Sequence, residues 1–155
     1  MAATITEQQA AERFLYNALS GFSALTAIID DRPSFIDAGS GKCIFNGAIP
    51  NGVDKLRCVV FELVNNNEPG SQGMRYHSIF TYCVVGWVQD QNDPFDIALQ
   101  IDQALGGPQG LKALVGGYPV CCTRVSTVPG LPRNIGKDQW RRAGGMYRIV
   151  VEVPR

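Results

Sequence analysis

The chain holds a single histidine, His77, and no excess of charge of either sign, with fourteen Lys and Arg against fourteen Asp and Glu. One imidazole allows no helical His pair, and the five cysteines contain no Cys-x-x-Cys, so the usual zinc-ligand spacings are missing. Balanced charge removes the global footprint that attracts nucleic acid or an anionic membrane surface. Long apolar runs are also missing. The best, residues 79–88, includes Thr81, Tyr82 and Gly86 and falls well short of the ~20 apolar residues of a spanning helix. The opening Met1-Ala-Ala-Thr-Ile-Thr-Glu7 lacks the basic and apolar regions of a secretory signal, so neither export by such a signal nor membrane insertion is expected.

Glycine and proline are plentiful, at 17 and 9 residues, which points to many turns and long connections. Apolar residues at 45% and charged residues at 18% exclude a disordered chain. The 155 residues can bury a real core and are read as one domain, 1–155. Cys43, Cys58, Cys83, Cys121 and Cys122 form an odd set among apolar neighbours. They read as buried, reduced thiols of a protein made in a reducing cytoplasm.

Thr6-Glu-Gln-Gln9 has the form of a capping box, and Ala11, Phe14, Leu15, Ala18, Leu19 and Phe22 follow at helical spacing. Gly21 ends or bends this helix, and Leu25, Ile28 and Ile29 suit a further turn before Pro33. Strands are expected over residues 42–45, 56–64 and 77–88, the last two joined by the polar segment 65–73 as an extended hairpin tip. Asp93 before Pro94 starts a second helix with Ile97, Ala98, Ile101 and Leu105 on one stripe, and Gly106-Gly-Pro108 stops it. Residues 120–128 and 146–153 are a fourth and a fifth strand, with a long loop, 129–138, between them. The expected fold is α+β, a mostly antiparallel sheet of about five strands with two helices on one face.

Candidate chemistry is sparse. Gly39-Ser-Gly-Lys42 resembles the end of a phosphate loop, but Ile36 and Cys43 stand where that pattern needs Gly and Ser or Thr, so it reads as a turn. Cys121 and Cys122 point to opposite faces of a strand and cannot easily grip one ion. A nucleophile would need His77 as its base, and His77 reads more simply as a solvated strand residue. Asp30-Asp31 could suggest an acid–base pair, as could Asp90, Asp93 and Asp96, but Asp93 and Asp96 have sufficient work at a helix start. Arg141-Arg142 beside Trp140 reads as strand-entry residues facing water or a partner, or as a stacking group for nucleic acid. Charge is split along the chain: residues 120–155 carry seven basic residues against Asp138 and Glu152, and residues 1–119 carry seven against twelve acidic. Such a split suits head-to-tail docking of identical subunits, unless the fold mixes both segments on every face.

The long strand Tyr82-Cys-Val-Val-Gly-Trp87, the helix after it, and the ending Gln139-Trp-Arg-Arg-Ala-Gly-Gly-Met-Tyr-Arg-Ile-Val-Val-Glu152 complete a pattern that begins with the amphipathic helix and strand hairpin. Over residues 9–153 this order of elements resembles the phage tail-terminator or tail-completion family. The resemblance implies a structural virion protein, assembled in the host cytoplasm. Its homohexameric ring would cap the tail tube and present the surface that meets the neck. Implied partners are further copies of the chain, the tail tube protein, a neck or head-completion protein and passing DNA contacted without specificity. No enzyme activity, cofactor, metal or membrane is implied. Arg133, Lys137, Arg141 and Arg142 are the expected interface or channel residues, with Glu7, Glu12, Asp90 and Asp96 opposite them. Asn65, Asn66, Asn67, Glu68 and Gln72 are the expected partner-contact loop. A neck or head-closure adaptor and a tail-tube-like subunit stay open, as does a small ligand-binding domain or enzyme using Cys121 or His77.

Overall fold

The computed structural model describes residues 5–53, 57–67, 70–71, 74–75, 77–89, 93–128, 133–135 and 138–153. Its first helix forms where the local signals put it. α1 spans Glu7–Ser20, Thr6 Oγ1 accepts from Gln9 N at 3.2 Å, and Gln9 Oε1 accepts from Thr6 N at 2.9 Å. Ala10, Ala11, Phe14, Leu15 and Leu19 are its buried stripe, and Gly21 closes it. A single turn, α2 (Ser23–Thr26), buries Leu25. Arg32 then straps the next connection down: Nε donates to Lys42 O at 2.9 Å, Nη2 donates to Ile44 O at 3.0 Å, and Nη1 pairs with Asp37.

The strands are β1 (Ile44–Asn46), β2 (Arg57–Asn67), β3 (Gly70–Ser71), β4 (Met74–Arg75), β5 (His77–Gln89), β6 (Leu111–Val115), β7 (Tyr118–Val128), β8 (Arg133–Ile135) and β9 (Asp138–Glu152). The main sheet runs in the order β1-β2-β5-β9-β7-β6, with β8 paired to the start of β9 and β3 paired to β4 apart from it. Between β5 and β6 lies α3, Phe95–Ala104, with Pro94 at its cap and Asp93 Oδ1 accepting from Phe95 N at 2.9 Å.

The α+β class stands, and the details of the sheet differ from expectation. β1 runs parallel to β2, so the sheet is mixed. β6 occupies residues expected to be a connection, and β9 begins at Asp138 instead of residue 146. Gly144 and Gly145, ahead of the expected strand start, lie inside β9. A Cβ at Gly144 would sit 2.0 Å from Val84 O, so glycine there permits close approach of β5 instead of ending the strand. Residues 133–135, expected in a loop, pair with Trp140, Gln139 and Asp138. The polar tip is tighter too. Asn65, Asn66 and Asn67 pair with Thr81, Phe80 and Ile79, so the hairpin is a β-ribbon well past residue 64. Val64 is the extra residue of a bulge between Leu63 and Asn65, and β7 carries a similar shift between Arg124 and Ser126.

Alternation along each strand gives the sheet two different apolar faces. On one, Tyr82, Val84 and Val88 of β5 and Tyr147, Ile149 and Val151 of β9 are buried with Phe14, Leu15, Leu25, Ile97 and Ile101 of the helices. On the other, Cys43, Phe45, Cys58, Val60, Val85, Trp87 and Trp140 form a second cluster, with Ile49 and Val53 of the β1–β2 connection against it. Gly86 sets the height of α3 above the sheet, because a Cβ there would lie 2.3 Å from Ile97 Cγ2. Gly86→Ala is therefore expected to cost about 1–3 kcal/mol by overpacking. The urea midpoint measures it, and an unchanged midpoint would mean that α3 moves off the sheet freely.

Candidate functional site

Two indoles, a guanidinium and a thiol come together on the sheet face opposite the helices. β5 supplies Cys83, Val85 and Trp87, and the register Trp87↔Arg142 and Gln89↔Trp140 places Trp140 and Arg142 of β9 beside them. β2 adds Val60 and Glu62, and residues 47–53 arch over this floor to leave a half-open cleft of about 460 Å³. Trp87 and Trp140 meet edge to face, with centroids 6.4 Å apart and planes at 75°. The Arg142 guanidinium lies over the Trp87 ring at 5.6 Å, a cation–π contact, and it pairs with no carboxylate among the described residues. Burial pushes the half-buried Cys83 thiol above its ordinary range; Arg142 opposes this and Glu62 adds to it. At neutral pH Cys83 is a protonated thiol and not an activated nucleophile.

The expected arginine pair does not act as one patch. Successive strand residues face opposite ways, so Arg141 lies on the helix-covered face, opposite Val88, with its buried Nε unpartnered among the described residues. Arg133 pairs through its backbone with Trp140 in β8, and its side chain lies outside the described residues. Lys137, Glu68, Gln72 and Asp90 also lie outside them. Asn65, Asn66 and Asn67 are exposed on the ribbon, and Asp96 is exposed in the first turn of α3. Glu7 and Glu12 are half-buried on α1. Gln8 Nε2 donates to Glu12 Oε1 at 3.1 Å.

The charge split along the sequence is partly cancelled inside the fold. Arg124 Nη1, from the basic segment, lies 3.3 Å from Asp102 Oδ2 of α3, and Tyr147 Oη donates to Asp102 Oδ1 at 3.1 Å. Burial raises the Tyr147 phenol above its ordinary range and the Asp102 carboxylate adds to this; burial and Glu12 do the same to Tyr82. Lys42 Nζ pairs with Asp31 at 2.8 Å, and the two residues form a β-bridge. Of the glycine-rich stretch 39–42 only Gly39 belongs to the 3-10 turn Asp37–Gly39, so the stretch is a connection into that bridge.

His77 and Cys121 are kept apart. Their strands, β5 and β7, flank β9, which sets them roughly 10 Å apart across the sheet. The cross-strand neighbour of His77 is Glu152, and that of Cys121 is Val150. Cys122, on the helix side, is pushed up to about 12 by burial first and by Cys121 and Asp102 next. Among the described residues no three His, Cys, Asp or Glu side chains cluster to hold a metal, and no helix is long and apolar enough to cross a membrane.

Compared with known proteins, the chain matches no family model and no curated protein. The cleft is what sequence reasoning missed. Its signal was the period-two run Cys83-x-Val85-x-Trp87 with Trp140-x-Arg142, which becomes a site only once β9 lies against β5.

The electrostatics of the cleft can be read through Cys83. In a Cys121→Ser background at pH 7, Glu62→Gln should speed alkylation of Cys83 by iodoacetamide severalfold, and Arg142→Gln should slow it, because the thiolate fraction moves in opposite directions. Peptide mass spectrometry over time measures both rates. Changes of the same sign would show that access, and not charge, controls the thiol.

Proposed function

We propose that this chain is a structural subunit of the tail-terminator type, which closes into a ring on the end of a phage tail tube. The observation that carries the reading is a division of labour across the sheet. Helices seal one face, while the other holds a half-open cleft of mixed polar and apolar lining and continues into a ribbon whose Asn65, Asn66 and Asn67 are exposed. Surfaces of this kind serve contact between proteins. The resemblance of residues 9–153 to the tail-terminator family gives that contact its setting. On this reading the tail tube protein lies on one side of the ring, a neck or head-completion protein on the other, and DNA passes through without specific contacts.

A small ligand-binding domain is the second reading, and the cleft of about 460 Å³ favours it, since that volume is in the range of small-molecule sites. Mass measured over a range of concentrations separates the two. A terminator forms a closed ring visible by electron microscopy, and a lone binding domain remains a monomer.

Alanine at Asn65, Asn66 and Asn67 together should change stability by less than about 1 kcal/mol, because the side chains are exposed and the ladder uses only the backbone. The same variant should lose most of its capacity to stop growth of tail tubes assembled from their own tube protein. Full capping activity in that variant would remove the ribbon from the contact surface. His77→Ala and Cys121→Ala should cap as well as the parent chain, and loss of capping in either folded variant would revive the catalytic alternative.

A further inference from the structure

A ring built from one kind of subunit joins two different surfaces on each copy. α3 lies on the helix side of the sheet, where Ile97, Ile101 and Ala104 are buried. Its other face is not the polar surface that solvent favours: Phe95 is 62% exposed and Leu99, one turn on, is 55% exposed. Two large apolar side chains four residues apart are the spacing with which helices dock into grooves. Asp96 is exposed beside them. Asp93 is already engaged by Phe95 N, and Asp102 by Tyr147 and Arg124, which leaves Asp96 as the carboxylate of this surface with no such partner among the described residues.

The cleft on the opposite side of the sheet has complementary chemistry. It is lined by the largely buried indoles of Trp87 and Trp140 and by Glu62 and Arg142, and the Arg142 guanidinium pairs with no carboxylate among the described residues. We propose that the exposed face of α3 in one copy docks in the cleft of the next, with Phe95 and Leu99 against the indole-lined floor and Asp96 paired with Arg142. This rests on the ring reading and gives it an interface. Because the two surfaces lie on opposite sides of one sheet, the contact is head-to-tail, and it closes into a ring where the rotation between successive copies divides a full turn. Aromatic side chains seated in a pocket and an arginine are the groups that dominate the energy of such contacts.

A charge exchange tests the pairing. Asp96→Arg alone and Arg142→Asp alone should each raise the protein concentration at half-assembly about tenfold, and the chain carrying both changes should return close to the parent value. Position is read separately by a cross-link. In a Cys121→Ser background, Leu99→Cys treated with diamide should give a ladder of disulfide-linked copies through Cys83, and Cys83→Ser should abolish the ladder. If the parent forms rings, the single variants assemble like it and no ladder appears, the docking is wrong while the ring stands. If both changes together assemble no better than either alone, the docking is likewise wrong. A parent chain that remains monomeric at every concentration overturns the docking and the ring together.

Discussion

The ladder between β5 and β9 runs without a slip from His77↔Glu152 to Gln89↔Trp140, and a shift of one residue anywhere along it would exchange the two faces of β9 against β5. Helix contacts and cleft alike depend on that register. It puts Tyr82 beside Tyr147 under the helices and Trp87 beside Arg142 in the cleft. Both faces are apolar near the centre, so neither could tolerate the exchange: Trp140 would move under the helices and Tyr147 would leave Asp102. The glycines of these strands serve the same constraint, Gly144 by admitting the Val84 carbonyl and Gly86 by admitting Ile97.

With the central pair held in register, irregularity falls on the strands to either side. β2 shifts register between Leu63 and Asn65, and β7 between Arg124 and Ser126. Both shifts adjoin the row occupied by Tyr82 and Tyr147. A bulge bends its strand and increases local twist, so both flanking strands bend beside this line of residues. On one side of that line lies the cleft, and on the other the ribbon begins.

What could be read from the sequence was local in origin. The capping box at Thr6, the stripe of α1 and the stop at Gly106 each need only a few neighbouring residues, and each is present in the fold. α3 starts one residue later than Asp93 as cap and Pro94 as first helical residue would put it, with Pro94 at the cap and Asp93 still accepting from Phe95 N. What could not be read depends on partners distant in the chain. β6, Leu-Lys-Ala-Leu-Val, is a strand because β7 lies beside it, and the parallel pairing of β1 has no sequence signature at all. Alternation explains the arginines as well. The rule that sends Cys121 and Cys122 to opposite faces applies equally to Arg141 and Arg142, and it divides what looks in the sequence like one basic site. The segment charges were legible as numbers, but Asp102 bonding to Tyr147 and Arg124 shows that the fold spends part of them internally.

Two phenols tie the pH response of this fold to its helices. Tyr147 donates to Asp102 of α3, and Tyr82 faces Glu12 of α1; burial and these carboxylates hold both phenols above the ordinary tyrosine value. In the unfolded chain both ionise near pH 10. Below that value each state is protonated and the stabilisation is fully present. As pH rises past it the unfolded chain gives up protons that the folded chain retains, and stability is lost progressively toward the folded values. Burial of these phenols, with the Tyr147–Asp102 hydrogen bond that ties α3 to the sheet, thereby makes the domain sensitive to alkali.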